Sequence, residues 1–132
     1  MNIVVGYIAT PAGEAALNWA MEEAKVRAGR LIVIHSKVGG EHDDAASFAA
    51  SARALDNVRA RLEEAALDHS IHEYVLGREP VDDLISAATE HDAAMIVIGI
   101  RTRSATGKFL LGSNALAILH DATVPVVCVK GV

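Results

Sequence analysis

Five short apolar segments along the chain have the length and composition of β-strands. Four of them are nearly continuous in β-branched and aliphatic residues and cover residues 3–7, 31–35, 95–99 and 124–129. Continuous hydrophobicity is typical of strands that are buried on both faces of a parallel sheet. The fifth segment, residues 72–76, alternates between polar and apolar positions. That alternation predicts a strand at the edge of the sheet.

The segments between these strands have the apolar spacing of amphipathic helices. In the first of them, Thr10 suits the N-cap, Pro11 suits the first helical position and Gly29 suits the stop signal. The second covers about residues 45–68, where apolar side chains repeat every seven residues. Two further helices are predicted to begin at Pro80 and Ser113.

The alternation of strands and helices predicts an α/β fold with a doubly wound, five-stranded parallel sheet, four helices and the strand order 3-2-1-4-5. We expect one domain over residues 1–132. In such a sheet the ligand crevice lies at the carboxyl ends of the two strands that flank the switch point, here strands one and four. The segments to examine for function are therefore residues 6–13 and 99–114.

Composition narrows the range of possible functions and leaves the predicted fold unchanged. Hydrophobic residues make up 52% of the chain, and 12 basic against 17 acidic residues give a net charge of −5. This balance argues against nucleic acid and anionic membranes as partners, since binding phosphates requires clustered Lys and Arg. The single cysteine cannot form an internal disulfide, and the first residues do not resemble a signal peptide. We expect a cytoplasmic protein.

The segment after the fourth strand combines features that suit a phosphate-bearing ligand. Gly99 lets a ligand approach the backbone closely, and Gly112 with Ser113 places free amide groups at the start of a helix. Positive charge comes from Arg101, Arg103 and Lys108. Ser113 also suits the N-cap of that helix, a role compatible with binding phosphate.

These residues resemble the signature of the universal stress protein family, which reads Gly, two residues, Gly, nine residues, Gly, then Ser or Thr. Gly99, Gly112 and Ser113 fall at matching positions, whereas Thr102 replaces the second glycine. The resemblance extends over essentially the whole chain. It implies an adenine-nucleotide α-hydrolase-like fold, a cytoplasmic protein that usually dimerises, and a protective or regulatory role under stress.

The resemblance also implies a binding site for ATP, with Mg²⁺, around the glycine loop. The expected contacts are Ile8, Thr10, Gly99, Arg101, Thr102, Gly112, Ser113 and Asn114. Ile8 stands where nucleotide-binding members carry an Asp, and an aliphatic side chain accepts no hydrogen bond. Two hypotheses therefore stay open, a nucleotide-binding stress or regulatory protein and a dimeric interaction module that binds no nucleotide. Thr10 is better explained as the N-cap of the first helix.

No catalytic motif accompanies this loop, so an enzyme is not expected and a slow ATPase ranks last. Among the histidines, His69 and His72 lack a Cys or carboxylate cluster at ligand spacing, which predicts solvated side chains rather than a metal site. Only His35, at the crevice end of the second strand, is expected to be a candidate ligand contact.

The last strand suggests a protein partner. It runs from Val124 to Lys130, and its place at the sheet edge leaves an apolar strand unpaired. Pairing with the same strand of a second copy would satisfy this edge with two-fold symmetry, which predicts a homodimer.

Overall fold

A computed structural model describes residues 1–36, 45–74, 80–101 and 113–131 of the chain. Its elements alternate strand and helix throughout. In chain order they are β1 (Asn2–Gly6), α1 (Pro11–Arg27), β2 (Arg30–Ser36), α2 (Ala45–Glu64), β3 (His69–Tyr74), α3 (Pro80–Glu90), β4 (Met95–Arg101), α4 (Ser113–Asp121) and β5 (Val126–Gly131).

The strands form one parallel sheet with the order β3-β2-β1-β4-β5, which confirms the predicted doubly wound fold. Two strand boundaries differ from the prediction in a way that affects the site. β4 continues past residue 99 to Arg101, because its last residues pair with β5, ending at the pair Arg101 and Gly131. β5 starts at Val126 rather than at Val124. Gly99 and Arg101 are thus strand residues, not loop residues.

β3 begins three residues earlier than predicted, at His69. The amide of Leu31 donates to the carbonyl oxygen of Asp68, and the pairing with β2 then continues from His69 to Tyr74. The hydrogen-bond register of the neighbouring strand therefore fixes this boundary, whereas the apolar pattern alone placed it too late. β3 lies at the sheet edge, as its alternating pattern predicted.

Side chains from the two faces of the sheet fill two separate apolar layers. Ile3, Val5 and Val33 face α1 and α2, while Val4, Ile32 and Ile96 face α3 and α4. All six of these strand residues are completely buried. Burial on both faces explains why the central strands have continuous rather than alternating hydrophobicity.

The ends of α1 show one correct and one incorrect prediction. Thr10 is the N-cap, and its hydroxyl accepts a hydrogen bond from the amide of Gly13 at 3.1 Å. The stop was predicted at Gly29, but the left-handed residue that ends the helix is Ala28, with φ of 50°. The amide of Gly29 then donates to the carbonyl oxygen of Ala24, which closes the last turn.

α2 also ends earlier than the pattern predicted, at Glu64 rather than near residue 68. Ala66 takes a left-handed conformation, with φ of 55°, and leads the chain into β3. Within the described residues, no helix combines the length and apolar character that crossing a membrane requires.

Candidate functional site

A cleft of about 330 Å³ opens where β1 and β4 end, on the side of the sheet covered by α3 and α4. This is the switch point of the sheet, because the chain leaves β1 toward α1 on one face and β4 toward α4 on the other. The described residues that line the cleft are Gly6, Tyr7, Ile8, Gly13, Ile34, Leu84, Ile98, Gly99, Asn114, Ala115 and Ile118.

The described wall of the cleft is largely apolar. Ile34, Leu84 and Ile98 form the inner part, and Ile8 lies at the rim with 51% of its surface exposed. Asn114, in the first turn of α4, brings a polar side chain that is exposed to solvent. An apolar wall with few polar groups is the usual composition of a small-molecule site.

The first turn of α1 closes one side of the cleft by lying directly on the sheet. A side-chain carbon added to Gly99 would overlap the carbonyl oxygen of Ala12, and one added to Gly131 would overlap the Ala12 backbone. A carbon added to Gly13 would overlap the carbonyl oxygen of Ile8. The sequence predicted space for a ligand beside Gly99. On the face of the sheet that carries α1, Ala12 fills this space. Only the other face of the Gly99 backbone is turned to the cleft.

Some of the contacts predicted from the sequence line the cleft and others do not. Ile8, Gly99 and Asn114 line the cleft. Thr10 is the N-cap of α1 and Arg101 is an exposed residue at the end of β4, and neither lines the cleft.

The remaining predicted contacts are described incompletely or not at all. Ser113 is the first residue of α4, so it stands at the helix N-terminus that was expected to receive an anion. Thr102 and Gly112 lie outside the described residues, as do Arg103 and Lys108.

His35 lies on the opposite face of the sheet from the cleft. Its Nδ1 is 3.0 Å from the carbonyl oxygen of Tyr7. A carbonyl oxygen only accepts, so Nδ1 carries a proton and donates this hydrogen bond. The side chain is buried, and Nε2 has no hydrogen-bond partner within the described part of the chain. His35 therefore positions the end of β1 and does not line the cleft.

A polar network that the sequence pattern did not predict lies behind the same end of β1. The Tyr7 hydroxyl donates to Oε1 of Glu14, and Arg61 Nη1 donates to the other Glu14 oxygen at 2.7 Å. Arg61 Nη2 also donates to Oδ1 of Asn18. The network joins β1, α1 and α2 through charge-assisted hydrogen bonds. The only sequence signal was a polar residue, Glu14, in the first turn of α1.

The network changes the pKa values of Tyr7 and Glu14. Burial raises the pKa of Tyr7 to about 12, and the hydrogen bond and charge of Glu14 act in the same direction. Burial acts to raise the pKa of Glu14, but the hydrogen bonds from Tyr7 and Arg61 and the Arg61 charge outweigh it. The pKa of Glu14 is therefore lower than usual. At neutral pH the network contains a neutral phenol, a carboxylate and a guanidinium.

Comparison with known proteins assigns this arrangement to one family. The model of the universal stress protein family matches residues 1–130. A universal stress protein of Mycolicibacterium smegmatis is 41% identical over 128 residues, covering 97% of this chain and 96% of that protein.

Two solved structures from Archaeoglobus fulgidus are similar over 98% of both chains. One is a universal stress protein with 36% identity and a TM-score of 0.82. The other is a universal stress protein in complex with dAMP, with 31% identity and a TM-score of 0.73.

The close contact of α1 with the sheet can be tested at Gly99. Gly99→Ala forces a carbon into the Ala12 backbone, which no side-chain rotation relieves. We expect a loss of about 3 kcal/mol in the free energy of unfolding, measured by urea denaturation. The matched control is Gly6→Ala, whose added carbon meets only the flexible Leu84 side chain at 3.1 Å. It should lose less than about 1 kcal/mol. Equal losses in the two variants would contradict the close contact.

The Tyr7 network can be tested by its pH dependence. Because the pKa of Tyr7 is raised from 10.0 to about 12 in the folded state, the stability it supplies is complete below pH 10. It is lost as the pH rises toward 12. Between pH 9 and pH 11.5, the wild-type protein should lose about 2 kcal/mol more than Tyr7→Phe, measured by urea denaturation. The same pH slope in both proteins would show that the phenol does not titrate abnormally.

Proposed function

The chain belongs to the universal stress protein family, and we propose that it is an adenine-nucleotide-binding member that acts in the stress response or its regulation. The observation that carries the proposal is the cleft at the ends of β1 and β4, with the N-terminus of α4 beside it. Ligands of doubly wound sheets bind at this position. The relative from A. fulgidus whose structure is a complex with dAMP supports an adenine nucleotide as the ligand.

The two parts of the cleft suit the two parts of a nucleotide. An adenine base would lie against the aliphatic side chains of Ile34, Leu84 and Ile98. The phosphates would lie at the N-terminus of α4, where unpaired amide groups and the helix dipole favour an anion. We propose ATP with Mg²⁺ as the physiological form. The cradle for ribose and phosphates would be formed by Gly99, Gly112, Ser113 and Asn114.

One observation favours a second candidate, an interaction module of the same fold that binds no nucleotide. Ile8 lies at the rim of the cleft, half exposed, and its side chain can neither donate nor accept a hydrogen bond. If the nucleotide needs a partner at that point, an unpaired polar group lowers the affinity by about 1–3 kcal/mol. The two candidates are separated by a direct binding measurement.

We also propose a cytoplasmic homodimer that forms through β5. This strand pairs with β4 on one side and lies at the edge of the sheet on the other. Residues Val126, Val127, Cys128 and Val129 are each only partly buried. An apolar edge strand of this kind is usually covered or paired. A second copy of β5 would pair with it about a two-fold axis.

Calorimetric titration tests the nucleotide site. AMP, and ATP with Mg²⁺, should each bind saturably with a micromolar dissociation constant. Ala115→Leu should weaken binding by about tenfold or more, which corresponds to about 1.4 kcal/mol, because the larger side chain enters the cleft that Ala115 lines. Because Ala115 also belongs to the apolar layer under α3 and α4, circular dichroism should be used to check that the variant is folded.

The control for this titration is Leu116→Ala on the same helix. Leu116 is 53% exposed and does not line the cleft, so this change should leave the affinity unaltered. Equal weakening by both variants would contradict the cleft as the binding site. No binding at millimolar nucleotide would contradict the nucleotide hypothesis and favour the interaction module.

Sedimentation equilibrium tests the dimer. The mass of one chain is 13.9 kDa, and at micromolar concentration we expect to measure twice this mass. Trp19 is the only tryptophan and lies on α1, the helix that packs on β5, so its emission should change on dilution as the dimer separates. A monomer at micromolar concentration with constant emission would contradict pairing through β5.

A further inference from the structure

Two histidines from different parts of the fold lie together at the β3 edge of the sheet, and neither lines the cleft. His72 is on β3, and His91 is the first residue after α3. Their ring centroids are 5.4 Å apart, and the ring planes are inclined by 42°. Both side chains are partly exposed, so solvent can reach them. His69, which is closer to His72 in sequence, is three residues away on the same strand and lies on the other face of the sheet.

The distance between the rings matches that of two histidines on one metal ion. A metal–nitrogen bond of ~2.1 Å and a further ~1.1 Å to the ring centre place each centroid ~3.2 Å from the metal. At a tetrahedral angle the two centroids are then ~5.2 Å apart. The observed separation of 5.4 Å is close to this value.

Neighbouring groups hold the two histidines in place. Nε2 of His72 lies 3.1 Å from the Ser70 hydroxyl, a hydrogen bond of the kind that orients metal-binding histidines. The backbone at His91 is fixed because Asn2 Nδ2 donates to its carbonyl oxygen at 2.6 Å. His91 also stands at the C-terminal end of α3, where the negative end of the helix dipole favours a bound cation.

We propose that His72 and His91 form a binding site for a divalent transition metal of the Zn²⁺, Cu²⁺ or Ni²⁺ class. Imidazole nitrogen is a preferred ligand for these ions, whereas Mg²⁺ and Ca²⁺ prefer oxygen. Within the described ranges, no group of three or more His, Cys, Asp or Glu side chains is placed to hold a metal. Water completes the coordination, which sets the affinity in the micromolar range. The bound ion joins the edge strand β3 to the end of α3.

Thermal unfolding of the tag-free full chain with ZnCl₂ tests the site. At ten to thirty times the dissociation constant, the wild-type Tm should rise by about 3 to 6 °C. His72→Ala and His91→Ala should each abolish this rise. His120→Ala is the matched control, because the His120 side chain is 87% exposed and lies on α4, beside Asp121. It should keep the full rise.

Copper provides a second readout that does not depend on the stability of the variants. One equivalent of Cu²⁺ on the wild-type protein should give an electron paramagnetic resonance spectrum with hyperfine coupling from two nitrogens. His91→Gln should reduce this to one nitrogen. No rise in Tm with ZnCl₂, an equal rise in all variants, or a copper spectrum that His91→Gln leaves unchanged would each overturn the proposal.

Discussion

The first turn of α1 lies directly on the backbone of β4 and β5, and the geometry of the cleft depends on that contact. Gly99 and Gly131 leave no side chains between the strands and Ala12, and Gly13 leaves none between the helix and Ile8. Any larger residue at these positions would move α1 away from the sheet. Ile8 and Gly13, which line the cleft, are therefore held in place beside the ends of β1 and β4.

The end of β1 divides the site into two regions with different chemistry. Toward α3 and α4 lies the apolar cleft, with Asn114 and the start of α4 beside it. Toward α1 and α2, the Tyr7 side chain enters a network with Glu14 and Arg61, while His35 holds the Tyr7 carbonyl oxygen. The same short segment thus lines the cleft and is anchored through the buried phenol of Tyr7.

The sequence predicted the strand order and the position of the cleft because continuous β-branched runs and alternating helices leave few topologies open. It did not predict the exact ends of β3, β4 and β5, since each depends on the register of a neighbouring strand. Gly99 was expected to make room for a ligand, but a missing side chain does not reveal which neighbour takes the space. The pairs Glu14 with Arg61 and His72 with His91 were missed because each joins elements that meet only in the folded chain.

We propose that an adenine nucleotide binds in the cleft between β1 and β4. The most direct test is a titration of isotopically labelled protein with AMP, followed by the amide resonances in two-dimensional NMR spectra. We expect saturable shifts at Gly6, Gly13, Gly99 and Asn114, with the amides of α2, on the opposite face of the sheet, unchanged. Saturable shifts confined to other parts of the molecule, or none at millimolar AMP, would contradict it.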